Sequence, residues 1–251
     1  MLKTLGIIDG LLTTERQRRN ACRTLGGKTV LEWVARQMTD SERLDGVIVV
    51  TDDSEENMFV KQRTPLDIPV FAVGPGGDTL KAVALALEAF PAEHCVFIGL
   101  DWPLIDSSLV DRLILAAESN PLGEYAAFHF ENSACSIKGR PTGMFAEWYD
   151  VRALHRANRK AGDPMYREYP GMYFIEQSPK NTLTLIPAPK QFDRDDIRWT
   201  IENEDDWENV VALFESIDAD NIQWPRIAET LLHQPHLQAG MKRHGKSVRV
   251  K

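Results

Sequence analysis

Val96-Phe97-Ile98-Gly99-Leu100-Asp101-Trp102-Pro103-Leu104-Ile105-Asp106 is the stretch that decides the fold. It starts with a continuous apolar run, which is typical of a buried strand in a parallel sheet that is covered on both faces. Asp101 follows at the carboxyl end of this strand, where open α/β sheets bind ligands. Asp106 precedes two serines and is predicted to cap the next helix. A lone acid at a strand end is about as often a cap as a ligand, so both interpretations of Asp101 stay open here.

The composition is that of a globular chain with a sizeable core. The chain has 251 residues, of which 43% are hydrophobic and 26% charged, enough for one large or two small α/β domains. No apolar run approaches the roughly 20 residues of a membrane helix, and the run at residues 5–8 is too short for a signal peptide. Cys22, Cys95 and Cys135 share no metal-ligand spacing, and their odd number argues against a disulfide framework. We therefore expect a cytoplasmic protein.

The charge is acidic overall but unevenly distributed. A net charge of −8 argues against general nucleic-acid binding, because neutralising phosphates needs a basic face. A basic group directly follows the first predicted strand and comprises Arg16, Arg18, Arg19, Arg23 and Lys28. A second basic stretch, residues 241–251, is interpreted as a solvated tail. The early group is the candidate for a functional role.

The first half repeats one strand–helix unit. Predicted strands cover residues 5–8, 46–51, 68–73 and 95–100, and predicted helices follow Thr29, Asp78 or Thr79, and Asp106. Strands alternating with helices at this spacing predict right-handed crossovers and a mainly parallel sheet. In the second half we predict strands at 125–130, 134–137 and 182–186, the first two antiparallel to the sheet, and helices at 151–161, 203–214 and 224–233. With no linker or composition break, residues 1–251 are predicted to form a single domain.

Two features other than Asp101 have the residue types of a binding site. Gly74-Pro75-Gly76-Gly77 precedes a helix, so its N–H groups are placed either to approach a nucleotide or simply to turn the chain. Glu202, just before a helix, is a candidate second carboxylate for Mg²⁺, which commonly uses one or two carboxylates plus substrate phosphates. The alternative for Glu202 is a favourable charge at the helix N-terminus. The chain has no Walker loop, no G-x-S-x-G elbow and no H-E-x-x-H motif, and Pro235 argues against His233 and His236 as a ligand pair.

Four segments of the first half resemble one family in order along the chain. They are Gly27-Lys28-Thr29-Val30-Leu31-Glu32-Trp33-Val34 (G-K-P-L-L-x-W-V), Val49-Val50-Thr51-Asp52-Asp53 (V-V-A-T-[SD]-D), Asp78-Thr79-Leu80-Lys81 (D-V-L-x-R) and Leu100-Asp101-Trp102-Pro103-Leu104-Ile105-Asp106 (G-D-x-P-L-I-D). Later matches are Pro141-Thr142-Gly143-Met144-Phe145-Ala146-Glu147 (P-x-G-x-x-x-E), Arg167-Glu168-Tyr169 (R-E-H) and Arg198-Trp199-Thr200-Ile201-Glu202 (R-W-T-V-D). The chain thus resembles the cytidylyltransferases that include spore-coat polysaccharide biosynthesis proteins and acidic-sugar CMP synthetases.

The resemblance implies a fold, a reaction and a set of site residues. The fold is a mixed, mostly parallel sheet sandwiched by helices, the GT-A-like nucleotide-diphospho-sugar transferase fold, with residues 1–120 binding the nucleotide and 121–251 the acceptor. The reaction is transfer of CMP from CTP to a sugar or sugar acid with Mg²⁺, which Asp101 and Glu202 would hold. The implied catalytic residues are Arg16, Arg19 and Lys28, the first two on the triphosphate, and Gly10, Asp78, Lys81 and Asp101 would lie beside the nucleotide. The implied acceptor contacts are Glu147, Arg167, Glu168 and Arg198.

The first loop departs from the family pattern R-x-x-S-T-R-L-P-G-K. Leu11 stands where the first arginine belongs, Asn20 stands in place of the lysine, and Glu202 replaces an aspartate. A second hypothesis is therefore a non-catalytic protein that binds a nucleotide or sugar nucleotide on the same fold. A glycosyltransferase is the third, weaker option, because the Asp101 segment lacks a second aspartate. A homodimer is also considered, with Trp148-Tyr149 and the second-half strands as its contact.

Overall fold

The computed structural model describes residues 1–130, 143–192, 197, 199–217 and 222–241. The strand predicted at 134–137, Cys135, Arg198 and the basic tail lie outside these residues. Nine strands occur within the described part: β1 Leu2–Asp9, β2 Thr24–Leu25, β3 Lys28–Thr29, β4 Gly46–Asp52, β5 Val70–Val73, β6 Ala92–Gly99, β7 Tyr125–His129, β8 Glu147–Asp150 and β9 Leu183–Pro187. The four strands predicted in the first half are confirmed, with shifted ends.

The α-helices of the described part are α1 Glu15–Cys22, α2 Val30–Thr39, α3 Met58–Arg63, α4 Thr79–Ala89, α5 Ser107–Glu118, α6 Val151–Lys160, α7 Pro164–Glu168, α8 Pro170–Gln177, α9 Glu204–Ser216, α10 Trp224–His233 and α11 Pro235–Gly240. Short 3₁₀ turns cover Glu55–Asn57 and Lys180–Thr182. None of the helices in these residues is long and apolar enough to cross a membrane.

The central sheet has seven strands in the described residues, in the order β5-β4-β1-β6-β8-β7-β9. Strand β8 pairs antiparallel with both β6 and β7, and the other pairings are parallel. The prediction of a mixed, mostly parallel sheet is therefore confirmed. The prediction that residues 125–130 run antiparallel to the sheet is wrong. Strand β8 lies between β6 and β7 and is antiparallel to both, so β7 runs parallel to β6.

Helices cover both faces of this sheet and create two apolar layers. Alternate residues of one strand point to opposite layers: Ile8 packs with α2 and α5, whereas Ile7 packs with α4 and α6. Both layers are buried, so β1 and β6 need apolar side chains at nearly every position. This explains the continuous apolar run at residues 95–98 from which the fold was predicted.

Side-chain caps set the starts of the helices around the sheet edge. Asp106 accepts hydrogen bonds from the Ser108 and Leu109 amides, as predicted, and it also accepts one from the Trp224 amide at 2.7 Å. Thr29 and Asn203 form capping boxes, which satisfy orphan N–H groups at each helix start. The caps place loop residues at the carboxyl ends of the parallel strands, where the site lies.

The dimer contact proposed for Trp148-Tyr149 is wrong. Both side chains are buried within the chain itself, because β8 is an interior strand of the sheet.

Candidate active site

Two carboxylates meet where β1 and β6 end. Asp9 is the last residue of β1 and pairs in register with Gly99, two residues before Asp101. The Leu100 amide donates to the Asp9 carbonyl at 3.0 Å, which locks the two strand ends together. Asp9 was missed in the sequence interpretation, although it follows an apolar strand just as Asp101 does.

Each carboxyl group of this pair is held in a state that resists ionisation. Both residues are partly exposed, but surrounding protein atoms desolvate their carboxyl groups and raise the pKa of Asp9 to about 7 and of Asp101 to about 6. The Leu11 amide, which donates to Asp9, lowers the pKa of Asp9, and the charge of Asp101 raises it. A cation bound between them would relieve both the repulsion and the lost hydration.

The donor set fits a hard divalent cation. Carboxylate oxygens at a strand edge suit Mg²⁺ or Mn²⁺, which complete their coordination with water and substrate phosphates. Within the described ranges no group of three or more His, Cys, Asp or Glu is arranged to hold a metal ion. Asp9 and Asp101 would therefore supply only part of a coordination sphere, with substrate or a moving side chain supplying the rest.

Arg16 connects this acidic pair to the predicted partner Glu202. Its Nη1 donates to the Glu202 carbonyl at 3.0 Å, and its positive charge lowers the pKa of Asp101 against the larger effect of burial. The guanidinium therefore lies between the strand edge and the segment before α9. Glu202 itself accepts a hydrogen bond from the Thr200 hydroxyl at 3.3 Å. The assignment of Glu202 as a metal ligand stays a prediction.

The other basic residues of the first loop have more varied surroundings. Arg19 is exposed, and the Lys28 ammonium lies 5.4 Å from the centre of the Trp33 ring. Arg18 donates to the Leu12 carbonyl at 2.7 Å and so holds the loop in shape. Leu11, which stands in the arginine position of the family pattern, is buried in the core. Among the predicted phosphate contacts, Arg16 interacts electrostatically with Asp101 of the acidic pair.

Glycines bring loops close together around this edge. A Cβ on Gly10 would lie 2.9 Å from the Val50 carbonyl oxygen. The close packing here therefore favours glycine independently of the predicted nucleotide contact. Gly77 has a φ of +64°, and a Cβ there would lie 3.4 Å from the Thr13 methyl group. The glycine-rich turn thus borders the first loop, on the side where Asp78 begins α4.

Asp78, the predicted nucleotide contact, and Arg167, the predicted acceptor contact, are hydrogen-bonded to each other. The Asp78 carboxylate caps the Lys81 amide and accepts Nε and Nη2 of Arg167 at 2.7–3.0 Å. Arg167 also donates to both the carbonyl and the side-chain oxygen of Asn158 at 2.7 Å. The guanidinium therefore joins the start of α4 to α6 and α7. Lys81 and Glu168 are exposed beside it, and their substrate contacts stay predictions.

Glu147 lies inside the fold. Its two carboxylate oxygens accept the hydroxyls of Tyr125 and Tyr149 at 2.6 and 2.8 Å, and a Cβ on Gly171 would overlap one of them. Burial raises the pKa of Glu147, and the two tyrosine donors lower it. Both oxygens of this buried carboxylate are thus used inside the fold, so the contact of Glu147 with an acceptor sugar stays a prediction.

Glu147→Gln is expected to raise the melting temperature by a few degrees at pH 8 and to leave it near wild type at pH 5. Because burial raises the pKa of Glu147 above its ordinary 4.5, ionisation costs the folded state more than the unfolded state, and stability is lost as pH rises. Thermal melts across pH 5–8 measure this. Tyr149→Phe removes a donor from the carboxylate and should destabilise more at pH 8 than at pH 5. If either variant changed the melting temperature equally at pH 5 and pH 8, the pKa of Glu147 would not be raised in the folded protein.

The predicted contact Arg198 lies outside the described residues, but its neighbour Trp199 is buried against Phe192, with ring centres 5.0 Å apart. Gly143, from the P-x-G-x-x-x-E segment, packs directly on the backbone of residues 199–200. Two segments recognised separately in the sequence are therefore in contact, and together they support the residues that lead to Glu202.

Comparison with known proteins gives a consistent picture. Residues 17–168, more than half of the chain, match the family model of the MobA-like NTP transferase domain. An uncharacterised protein of Methanocaldococcus jannaschii is 25% identical over 238 residues, which cover 94% of this chain and 93% of that protein. The spore coat polysaccharide biosynthesis protein SpsF of Bacillus subtilis is 23% identical over 225 residues, covering 84% and 86% of the two chains.

A solved structure shows the same fold over nearly the full length. A cytidylyltransferase from Leptospira borgpetersenii superposes with a TM-score of 0.82, covers 98% of this chain and 99% of its own, and is 18% identical. At that identity the likeness concerns the fold.

Proposed function

The chain belongs to the MobA-like NTP transferase family, and from this premise we propose that it is a cytidylyltransferase that transfers CMP from CTP to a sugar or sugar acid. The observation that carries the proposal is the pair Asp9 and Asp101 at adjacent strand ends, with Arg16 beside Asp101. The resemblance to cytidylyltransferases and to a spore-coat polysaccharide protein supports the choice of nucleotide and acceptor. A role in surface polysaccharide synthesis is part of the same proposal and is supported by the similarity to the spore-coat relative.

The proposed reaction is a single displacement at phosphorus. A hydroxyl oxygen of the acceptor forms a bond to the α-phosphorus of CTP, the bond from that phosphorus to the bridging oxygen breaks, and pyrophosphate leaves. The hydroxyl proton passes to water or to a nearby base. Such a transfer depends on positioning and charge neutralisation more than on a protein nucleophile.

Different side chains at the carboxyl edge of the sheet would bind the cation and the phosphates. Asp101, with Asp9 and Glu202, would hold a divalent cation, which supplies charge neutralisation to the phosphates when bound. Arg16 would place a second positive charge on the triphosphate, and its link to Glu202 keeps that charge at the edge. Arg19 and Lys28, both exposed, would contact the β- and γ-phosphates. The Asp78–Arg167 network would border the nucleotide on the opposite side.

The experiment that tests the proposal measures pyrophosphate release with CTP, Mg²⁺ and a panel of nonulosonic acids and related sugars. We expect turnover with at least one acidic sugar and a clear preference for CTP over ATP, GTP and UTP. A thermal-shift titration with each nucleotide serves as the control for binding without chemistry. Absence of turnover with every acceptor, together with no CTP-dependent thermal shift, would contradict the proposal.

A second candidate function is nucleotide binding without chemistry. Leu11 favours it, because a buried leucine occupies the position at which the family pattern has a phosphate-holding arginine. CTP binding with no product in the same panel would support this candidate. Rates in the ordinary enzymatic range, roughly 1 s⁻¹ or more, would exclude it.

A further inference from the structure

Two side chains of helix α1 and that of its C-cap residue, Arg23, attach the helix to the segment that carries Glu202. Arg16 and Asn20 are four residues apart within α1, which places them on the same face, and Arg23 follows the last helical residue. Arg16 donates to the Glu202 carbonyl, Asn20 to the Ile201 carbonyl, and Arg23 to the Glu204 carboxylate. The first loop and residues 201–204 are thereby joined across more than 180 positions of sequence.

Asn20 makes the buried bond of the three. Its side chain is 1% exposed, and its Nδ2 donates to the Ile201 carbonyl at 3.0 Å. A buried amide that loses its partner pays the full cost of desolvation, so this bond does not exchange readily with water. The Arg23–Glu204 pair is more exposed, since the Glu204 side chain retains 56% of its accessible surface, and such a pair contributes little. The geometry of the attachment therefore depends mainly on Asn20.

The backbone of Glu202 is held from both sides of its α-carbon. Its amide donates to Asp206 at 2.9 Å, and its carbonyl accepts from Arg16 at 3.0 Å. The preceding carbonyl, that of Ile201, is the one that Asn20 holds. Contacts from α1 and from Asp206 of α9 thus fix three backbone groups, and together they set the direction in which the Glu202 side chain leaves the backbone.

We propose that Asn20 is a positioning residue: its amide fixes the backbone before Glu202 and so sets where that carboxylate stands relative to Asp101. This rests on the proposed function, in which both carboxylates hold the cation. It also gives Asn20 a role of its own at a position where the family pattern has a lysine. The residue holds a metal ligand's backbone instead of a phosphate.

Hydrogen exchange and metal binding test this in the intact chain. Asn20→Leu keeps the number and branching of the side-chain heavy atoms and removes the donor, so amides of residues 201–206 should exchange about tenfold faster, while those of β1 and β6 stay protected. Free Mn²⁺ titrated under electron paramagnetic resonance should bind about tenfold more weakly, the low end of effects seen for groups that orient metal ligands. Asn209→Leu is the matched control, because its amide also donates to a backbone carbonyl, that of Gly240, at 2.9 Å.

The double variant separates failure of this inference from failure of the proposed function. If Glu202→Ala weakens Mn²⁺ binding and Asn20→Leu adds nothing in that background, Asn20 acts through Glu202. If Glu202→Ala weakens binding but Asn20→Leu changes neither binding nor exchange of 201–206, the positioning role is wrong while the metal site stands. If Glu202→Ala leaves Mn²⁺ binding unchanged, the assignment of Glu202 fails, and with it a positioning role of Asn20 toward the metal.

Discussion

Asp101→Asn is expected to lower kcat by about a thousandfold, the upper range for removing one preorganised electrostatic group from an active site. The substitution keeps the shape of the side chain but removes the negative charge that would hold the cation against the α-phosphate. The measurement is the initial rate of pyrophosphate release with CTP, Mg²⁺ and the best acceptor of the panel.

The same variant should fold at least as well as the wild type. Burial raises the pKa of Asp101 to about 6, so its charge at pH 8 is a cost to the metal-free folded state that asparagine avoids. Asp45→Asn is the control. Asp45 accepts hydrogen bonds from the amides of Lys3 and Thr4, at the end of β1 away from the edge where Asp101 lies. A rate for Asp101→Asn within tenfold of wild type would contradict a role in catalysis.

Gly143→Ala is expected to lower the free energy of unfolding by about 3 kcal/mol, the sum of a left-handed backbone penalty and overpacking. Its φ is +78°, and a Cβ would lie 2.5 Å from the Thr200 methyl group and 2.8 Å from the Trp199 carbonyl oxygen. Relief of these contacts must push residues 199–200 away, and Glu202 follows two residues later. For a chain of this size the melting temperature should fall by about 10 °C.

Gly162→Ala is the matched control for this prediction. Beyond its immediate chain neighbours, no heavy atom lies within 4 Å of the point that a Cβ would occupy, and its backbone is not left-handed. Its melting temperature should therefore stay within about 2 °C of wild type. Equal shifts in the two variants would show that Gly143 does not support the segment leading to Glu202.

Much of the fold follows from local patterns in the sequence. The apolar runs at residues 46–51 and 95–100 predicted buried strands because both faces of the sheet are covered, and Asp106 predicted a helix start because few residues cap so well. Helix α1 was missed, since residues 15–22 are mostly polar and have no apolar face to reveal a helical period. Strand β8 was missed because its four residues include Glu147, whose burial depends on two tyrosine hydroxyls.

The site was only partly predictable for a related reason. Asp101 was identified from its position after a strand, and the same reasoning applied to Asp9 would have found its neighbour. The contacts of Arg16 and Asn20 with residues 201–202 could not be predicted, because they join parts of the chain that only the folded sheet brings together. The resemblance to the family pattern placed Asn20 at the position of a phosphate-holding lysine, whereas in the structure its side chain donates a hydrogen bond to the Ile201 carbonyl.

The most direct test of the central claim follows the α-phosphate of CTP. With CTP labelled at the α-phosphorus, Mg²⁺ and an acidic sugar, we predict that the wild-type protein moves the label into a CMP-sugar and releases unlabelled pyrophosphate. The Asp101→Asn protein should leave the label in CTP. If the label instead appears in CDP or free CMP, or if Asp101→Asn transfers it at the wild-type rate, the protein is not a cytidylyltransferase acting at this strand edge.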